Sequence, residues 1–132
     1  MILTSELNKI ALARLADAEV LYKGKRFDGA VYLCGYAVEL TLKAKICKTL
    51  KWAGFPSTNS EFKGSQSFKT HRLDILLTLS GQELKIKTGH FADWSIVANW
   101  DSETRYNIIG TANQTDARNI LDSANAIIKA LK

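Results

Sequence analysis

The chain has 132 residues, of which 46% are hydrophobic and 23% are charged, and this length and composition predict one globular domain spanning residues 1–132. No apolar stretch reaches the roughly 18 residues that a membrane span needs, and Glu6, Lys9, Arg14 and Asp17 interrupt any signal-peptide core in residues 1–20. The sequence therefore predicts a cytoplasmic protein that makes no contact with a membrane.

The net charge of +5 is unevenly distributed. Residues 1–50 carry eight Lys or Arg against five Asp or Glu, residues 51–90 carry six against three, and residues 91–132 carry four against five. An excess of this size permits binding to nucleic acids or nucleotides without requiring it, and a solvated lysine surface explains it equally well.

The two cysteines, Cys34 and Cys47, fall within one predicted helix. At 1.5 Å per residue they lie about 20 Å apart, whereas a disulfide needs Cα atoms within about 7 Å. No other Cys or His lies at metal-ligand spacing from them. We therefore expect two buried thiols in a reducing compartment, no metal site and no cofactor.

The first predicted helix runs from about Ser5, a plausible N-cap, to Tyr22, with Gly24 just past its end. Its apolar residues follow the helical period on one face: Leu7, Ile10, Ala11, Leu15, Ala18, Leu21 and Tyr22. Arg14 interrupts this stripe, so either the helix end rolls it outward or it meets a buried acidic partner.

The second predicted helix, from about Asp28 to Leu50, is apolar almost all round, which is typical of the central helix of a bundle. One face carries small side chains: Ala30, Cys34, Ala37, Thr41 and Ala44. A neighbouring helix can approach such a face closely, whether it belongs to the same chain or to a second subunit. The opposite side carries a polar and aromatic strip: Tyr32, Tyr36, Glu39 and Lys43.

Turn-forming residues make residues 51–69 a long loop, a class of segment that is often functional or mobile. A third helix is predicted to begin at His71 with Thr70 as its N-cap and to end at Ser80-Gly81. Its core face is formed by Leu73, Leu76 and Leu77.

A basic link follows, and then a short segment from Phe91 to Trp100, in which Phe91, Trp94, Val97 and Ala98 fit a helix of two or three turns. The last helix is predicted from Asp116 to Leu131 with Thr115 as its N-cap. The fold expected from these elements is all-α: an up-and-down helical bundle of about four main helices plus one short helix.

Several short segments in this order form a recognisable set. They are Arg14–Glu19, Phe27–Ala30, Gly35–Glu39, Leu42–Ala44, His71–Leu73, and then Trp100, Glu103 and Arg105-Tyr106 before the final amphipathic helix. The set resembles the HEPN family (higher eukaryotes and prokaryotes nucleotide-binding domain). The resemblance implies a bundle of about four antiparallel helices, frequent homodimerisation, and frequent pairing with a minimal nucleotidyltransferase, often within a toxin–antitoxin system.

Active members of this family are metal-independent ribonucleases with an arginine followed, after four to six residues, by a histidine. Neither histidine of this chain, His71 or His90, has an arginine at that spacing. Arg105 matches the position of the family's arginine, but the residues that stand where its histidine belongs are Gly110, Thr111 and Ala112. A permanently protonated arginine cannot remove the proton of an RNA 2′-hydroxyl.

The sequence therefore predicts a non-catalytic HEPN-like module that binds nucleotides or RNA or a partner protein. The alternative is a ribonuclease toxin with a divergent active site built on Arg105 and His71. No glycine-rich phosphate loop or dinucleotide fingerprint is present, so any nucleotide is expected in a groove between helices.

The candidate binding residues are Arg105, Tyr106, His71, Glu39, Lys43 and Tyr36. Tyrosine rings can stack on bases and Lys43 can meet a phosphate, but Glu39 and Lys43 also suit an ordinary ion pair on a wet face, and Glu39 suits a buried contact with Arg14. Arg105 suits phosphate or carboxylate recognition, or pairing with Asp101 or Glu103. His71 suits a ligand contact or local packing.

Overall fold

A computed structural model describes residues 1–132. Six α-helices form the body of the molecule: α1 (Thr4–Lys23), α2 (Phe27–Leu50), α3 (Leu73–Ser80), α4 (Glu83–Gly89), α5 (Phe91–Val97) and α6 (Gln114–Leu131). Two short 3-10 helices (Gln66–Phe68 and Ser102–Tyr106) and two two-residue strands, β1 (Ile2–Leu3) and β2 (Gly54–Phe55), complete it. The predicted all-α helical bundle is confirmed. None of the helices combines the length and apolar character needed to cross a membrane.

Helices α1 and α2 form a long hairpin joined by the three-residue turn Gly24–Arg26. The buried face of α1 is the predicted stripe, with Leu7, Ala11, Leu15 and Ala18 all buried. Helix α2 is buried around most of its circumference because α1, α3 and α6 all pack against it. It is therefore the central helix, as its apolar composition predicts.

The small-residue face of α2 is used within the chain. Ala30, Cys34, Ala37, Thr41 and Ala44 are all buried, and Thr41 and Ala44 lie beside Leu131 of α6. The sequence allows this face to pack against a helix of the same chain or of a second subunit, and in the structure it packs within the same chain. The face therefore offers no surface to a second subunit.

The two strands pair antiparallel, with Ile2 opposite Phe55 and Leu3 opposite Gly54. Gly54 is required by this contact because a Cβ there would lie 2.5 Å from the carbonyl oxygen of Ile2. The pairing also changes the start of α1, since the backbone N–H and the hydroxyl of Thr4 both donate to the carbonyl oxygen of Ala53 at 3.2 Å. The predicted Ser5 N-cap is therefore wrong, and α1 begins one residue earlier without a side-chain cap.

Other predicted boundaries also move. The last helix begins at Gln114, and its N-cap is Asn113, whose side chain accepts from the Asp116 N–H at 2.8 Å while the Asp116 carboxylate accepts from the Asn113 N–H. Thr115 is therefore not the cap. The link after α3 contains helix α4, which has only Ile86 buried and is too short for its periodicity to be visible. The short helix predicted from Phe91 to Trp100 is α5, which ends at Val97, and Phe91 at its start is exposed.

Candidate functional site

A cavity of about 480 Å³ opens beside the middle of α2, between that helix and the chain after β2. We call it the α2 cavity. Its walls are formed by Tyr36, Glu39 and Lys43 from α2, by Phe55 and Phe62 from the loop, and by Lys69, Thr70 and His71 just before α3. Four of the predicted binding residues, Tyr36, Glu39, Lys43 and His71, thus meet in one place.

Glu39 is the charged centre of the α2 cavity and is only 2% exposed. Its Oε2 atom lies 3.0 Å from Lys43 Nζ and 3.2 Å from His71 Nδ1. An ionised carboxylate only accepts hydrogen bonds, so Nδ1 of His71 donates to it, and Nε2 has no hydrogen-bond partner in the protein. The carboxylate therefore orients both Lys43 and His71, while His71 itself stays 66% exposed at the cavity mouth.

The location of His71 follows from the backbone just before α3. The Thr70 hydroxyl accepts a hydrogen bond from the Arg72 N–H at 3.1 Å, and α3 begins only at Leu73. The predicted Thr70 N-cap and helical His71 are therefore each wrong by two residues, because a side-chain turn at Thr70 precedes the helix. This turn places the His71 ring over Glu39 across a separation of 32 residues.

Aromatic rings extend the site along α2. Tyr32 and Tyr36 stack with their ring planes 9° apart and their centroids at 6.2 Å. Burial raises the pKa of the Tyr36 hydroxyl, and the Glu39 carboxylate adds to that effect. Lys43 Nζ lies 5.3 Å from the centre of the Phe55 ring, which completes the apolar wall on the other side.

Arg105 and Tyr106 belong to the far end of the same strip and do not line the α2 cavity. The Arg105 guanidinium lies 4.8 Å from the centre of the Tyr106 ring, and the neighbouring hydroxyl groups of Tyr106 and Tyr32 raise its pKa. Tyr32 precedes Glu39 by seven residues, or about 10 Å of helix. Arg105 has no ion pair with Asp101 or Glu103, so the structure does not support that alternative.

Trp100 connects the far end of the strip to the bundle. It is buried and packs 6.0 Å from Tyr32, ring centre to ring centre. Its ring lies directly on Gly35, where a Cβ atom would be only 2.1 to 2.3 Å from three ring atoms. Trp94 is buried as well. The contact between the Trp100 ring and Gly35 is visible only in the structure.

The structure also identifies the partner of Arg14. Arg14 pairs with Asp17 at 3.5 Å on the half-exposed side of α1, and its partner is not Glu39.

Both cysteines are free and buried, and burial raises the pKa of the Cys34 thiol to about 12. No three His, Cys, Asp or Glu side chains lie close enough together to hold a metal ion.

Comparison with family models gives one match, and it covers α1, α2 and the start of the loop. Residues 4–60 match the HEPN domain. The predicted resemblance is confirmed over this stretch, which is a little under half of the 132-residue chain. No curated protein and no solved structure matches the chain.

The HEPN match associates the chain with nucleotides or RNA in general terms, and it includes Tyr36, Glu39 and Lys43 of the α2 cavity. His71 and Arg105 lie beyond it. Sequence reasoning did not find Phe55 and Lys69, which also line the cavity. In the sequence, only their position in an unusually long loop indicates a role. Their contact with α2 depends on the β1–β2 pairing, which the sequence pattern does not predict.

Proposed function

We propose that the protein is a HEPN-like module that binds RNA or a nucleotide in the α2 cavity. The observation that carries this proposal is the convergence of Glu39, Lys43 and His71 with Tyr36 at one cavity. A cavity of about 480 Å³ falls within the range of small-molecule sites. Its aromatic wall and cationic rim suit a base or ribose attached to a phosphate.

The charges at the cavity favour a phosphate at the mouth. Lys43, Lys69 and the exposed ring of His71 surround one buried carboxylate. Glu39 uses Oε2 for both of its contacts, and its Oε1 has no hydrogen-bond partner in the protein. That free acceptor suits a ribose hydroxyl or a base amino group, so we expect RNA and ribonucleotides to bind better than their deoxy counterparts.

The loop before α3 offers a matched pair of lysines for a binding experiment. Lys69 lines the α2 cavity, whereas Lys63, on the same loop and also exposed, does not. We expect Lys69→Gln and His71→Gln each to weaken binding of a short single-stranded RNA by about ten-fold, since each removes one charge-assisted contact. Fluorescence anisotropy at fixed salt measures the affinity, and Lys63→Gln is the control.

Equal weakening by Lys69→Gln and Lys63→Gln would point to general attraction between a basic protein and RNA. The same conclusion follows if neither His71→Gln nor Lys69→Gln changes the affinity. Either result would overturn binding in the α2 cavity, and circular dichroism of each variant excludes unfolding as the cause.

The Glu39–His71 contact supports a second candidate function, a metal-independent ribonuclease. Nε2 of His71 would accept the proton of a 2′-hydroxyl as its oxygen attacks the adjacent phosphorus. The bond from phosphorus to the 5′-oxygen then breaks, leaving a 2′,3′-cyclic phosphate and a 5′-hydroxyl that takes its proton from the histidinium. The adjacent cation is Lys43, not Arg105, so this site differs from the one that the sequence suggests.

We nevertheless expect the purified protein not to cleave RNA at a useful rate. His71 is 66% exposed at the cavity mouth, and the arginine that active family members carry before their histidine is absent. The test is incubation with single-stranded and structured RNA in a chelator. Cleavage that disappears in His71→Ala and Lys43→Gln would establish the second candidate function in place of the first.

The partner predictions concern surfaces outside the α2 cavity. A homodimer and a complex with a minimal nucleotidyltransferase, in a toxin–antitoxin or related system, stay predictions. Because the small-residue face of α2 is buried in the chain, a dimer would have to use another face. Light scattering at high micromolar concentration tests the dimer, which a mass near 15 kDa, close to the 14.7 kDa of one chain, would contradict.

A further inference from the structure

A second concave surface lies on the side of α2 away from the α2 cavity. It has a volume of about 350 Å³ and is formed where α1, α2 and the end of α6 meet. Its polar lining consists of Lys45, Lys48, Lys132, Thr4, Asn8 and Thr41. We call this surface the lysine basin.

The charged side chains of the lysine basin are all positive, and Lys132 also carries the carboxylate that ends the chain. Lys45, Lys48 and Lys132 form no ion pair, and no acidic side chain lines the basin. Lys43, one turn away on the other side of α2, is by contrast paired with Glu39 at 3.0 Å. The same stretch of helix thus presents one neutralised lysine to the α2 cavity and two free lysines to the basin.

Lys45 is affected first by burial and then by neighbouring positive charges. Burial, together with the charges of Lys48 and Lys85, lowers the pKa of its ammonium group. Lys85 has a local explanation because its Nζ donates to the carbonyl oxygen of Ala130 at 2.7 Å, at the end of α6. Lys45 and Lys48 have no acceptor of this kind, so helix capping does not account for them.

The uncharged groups of the basin are also suited to an anion. The Thr4 and Thr41 hydroxyls already donate to backbone carbonyl groups, but the half-buried side chain of Asn8 has no hydrogen-bond partner in the protein. Its amide group provides two more donors beside the lysines. The basin therefore combines several cations and a free neutral donor with no acidic side chain.

We propose that the lysine basin binds a compact polyphosphate group, either the phosphate chain of a nucleotide or free polyphosphate. Ammonium groups around a concave surface match an anion that concentrates several charges in a small volume. An extended nucleic-acid backbone spreads its phosphates along a line and requires an open track, which three converging helix ends do not provide. This proposal is independent of the α2 cavity and goes beyond the function proposed for it.

Calorimetric titration with tripolyphosphate at about 150 mM salt, where exposed charges are largely screened, tests the proposal. We expect saturable binding, and we expect the double variant Lys45→Gln/Lys48→Gln to weaken it by about ten-fold or more, because two charge-assisted contacts are lost. The double variant Lys63→Gln/Lys87→Gln removes the same charge from exposed sites outside the basin and is expected to bind like the unchanged protein.

Further titrations separate the sources of the phosphate group. Because ATP can also enter the α2 cavity, only the binding that Lys45→Gln/Lys48→Gln removes is compared. Within that binding, a tighter affinity for ATP than for tripolyphosphate supports a nucleotide, equal affinities support the phosphate chain alone, and adenosine should not bind. His71→Gln and Lys69→Gln are expected to leave unchanged the part of tripolyphosphate binding that Lys45→Gln/Lys48→Gln removes, which distinguishes failure here from failure of the α2 cavity.

Three results would overturn the proposal: no tripolyphosphate binding at this salt concentration, equal loss in both double variants, or a basin-dependent affinity for RNA without affinity for tripolyphosphate. Thermal unfolding shows that each variant is folded. Because Lys45 and Lys48 repel each other, Lys45→Gln alone should unfold at the same or a higher temperature, and tripolyphosphate should raise the midpoint of the unchanged protein more.

Discussion

The two ends of the polar strip on α2 are built differently. At the Glu39 end, a carboxylate that is 2% exposed holds Lys43 and His71, and the cavity wall surrounds all three side chains. At the Arg105 end, the guanidinium rests on Tyr106 in an exposed segment, and the residues that follow, Ile108 and Ile109, are 86% and 95% exposed.

This difference separates a preorganised site from an adaptable one. The Glu39 end has its charges fixed by a buried partner, so a ligand meets side chains that are already oriented. The Arg105 end depends on two attachments, Trp100 on Gly35 and Asp28 on the backbone at Gly110 and Ala112. Changes at these positions, ordered from the largest expected effect to the smallest, test the comparison.

Gly35→Ala should cause the largest disruption, because it removes the packing of Trp100 that attaches the Arg105 end to α2. The new Cβ would lie within 2.3 Å of three atoms of the Trp100 ring, and neither the ring nor the α2 backbone can move away cheaply. We expect a loss of about 3 kcal/mol in the free energy of unfolding, measured by urea denaturation. Gly89→Ala, where a Cβ meets open space, is the control and should leave stability nearly unchanged.

Glu39→Ala should disrupt the Glu39 end of the strip, with a somewhat smaller loss of stability. It leaves Lys43, whose side chain is 15% exposed, without its partner and frees the His71 ring. We expect a loss of about 2 kcal/mol, below the usual figure for a fully buried pair because Lys43 reaches solvent. Glu103→Ala, in the exposed segment, is the control, and an equal loss in both variants would remove the proposed contrast.

Asp28→Asn should loosen the Arg105 end alone. The Asp28 carboxylate accepts the N–H groups of Gly110 at 2.6 Å and Ala112 at 2.8 Å, and these bonds lower its pKa. The charged form therefore stabilises the fold above its ordinary pKa of about 3.9, and this contribution disappears as the pH falls through the lower folded pKa.

We expect Asp28→Asn to cost about 1 kcal/mol at neutral pH, after allowance for solvent screening. The difference from the unchanged protein should shrink below about pH 4, where the carboxylate becomes protonated. Urea denaturation across this pH range measures both effects. Asp74→Asn, which removes an exposed carboxylate paired with Arg72, is the control, and a difference that stays constant with pH would contradict the role of Asp28.

Arg105→Gln should have the smallest effect on the fold, because the side chain is exposed and its contacts are with Tyr106 and Tyr32. We expect the thermal unfolding midpoint to stay unchanged. Arg105 lies beyond the α2 cavity, so a mononucleotide should keep its affinity while a longer RNA loses some. Weakened binding of both ligands would instead show that Arg105 contributes to binding in the α2 cavity.

Elements with strong periodicity could be predicted from the sequence, and those set by long-range contacts could not. The apolar stripes of α1, α3 and α6 are buried as predicted because they repeat over whole turns. The start of α1 differs from the predicted one because the backbone N–H of Thr4 donates to the carbonyl oxygen of Ala53, 49 positions away in the sequence. Helix α4 was missed because seven residues with one buried side chain give no pattern.

The candidate site shows the same division. The spacing of Tyr32, Tyr36, Glu39 and Lys43 places them on one side of α2, and this much follows from helix geometry. That His71 rather than Arg14 meets Glu39 depends on the turn at Thr70 and on the course of the loop before it. No local signal specifies that course, so the sequence does not predict this contact.

The three-residue turn between α1 and α2 has a consequence for the order of folding. Two long helices joined so closely in sequence form their mutual contacts at a low cost in chain entropy. We therefore expect this hairpin to be structured in the folding transition state, with α6 docking onto it from a distance of more than 60 residues. Substitutions such as Ala18→Gly should then slow folding, whereas Ala124→Gly should mainly accelerate unfolding.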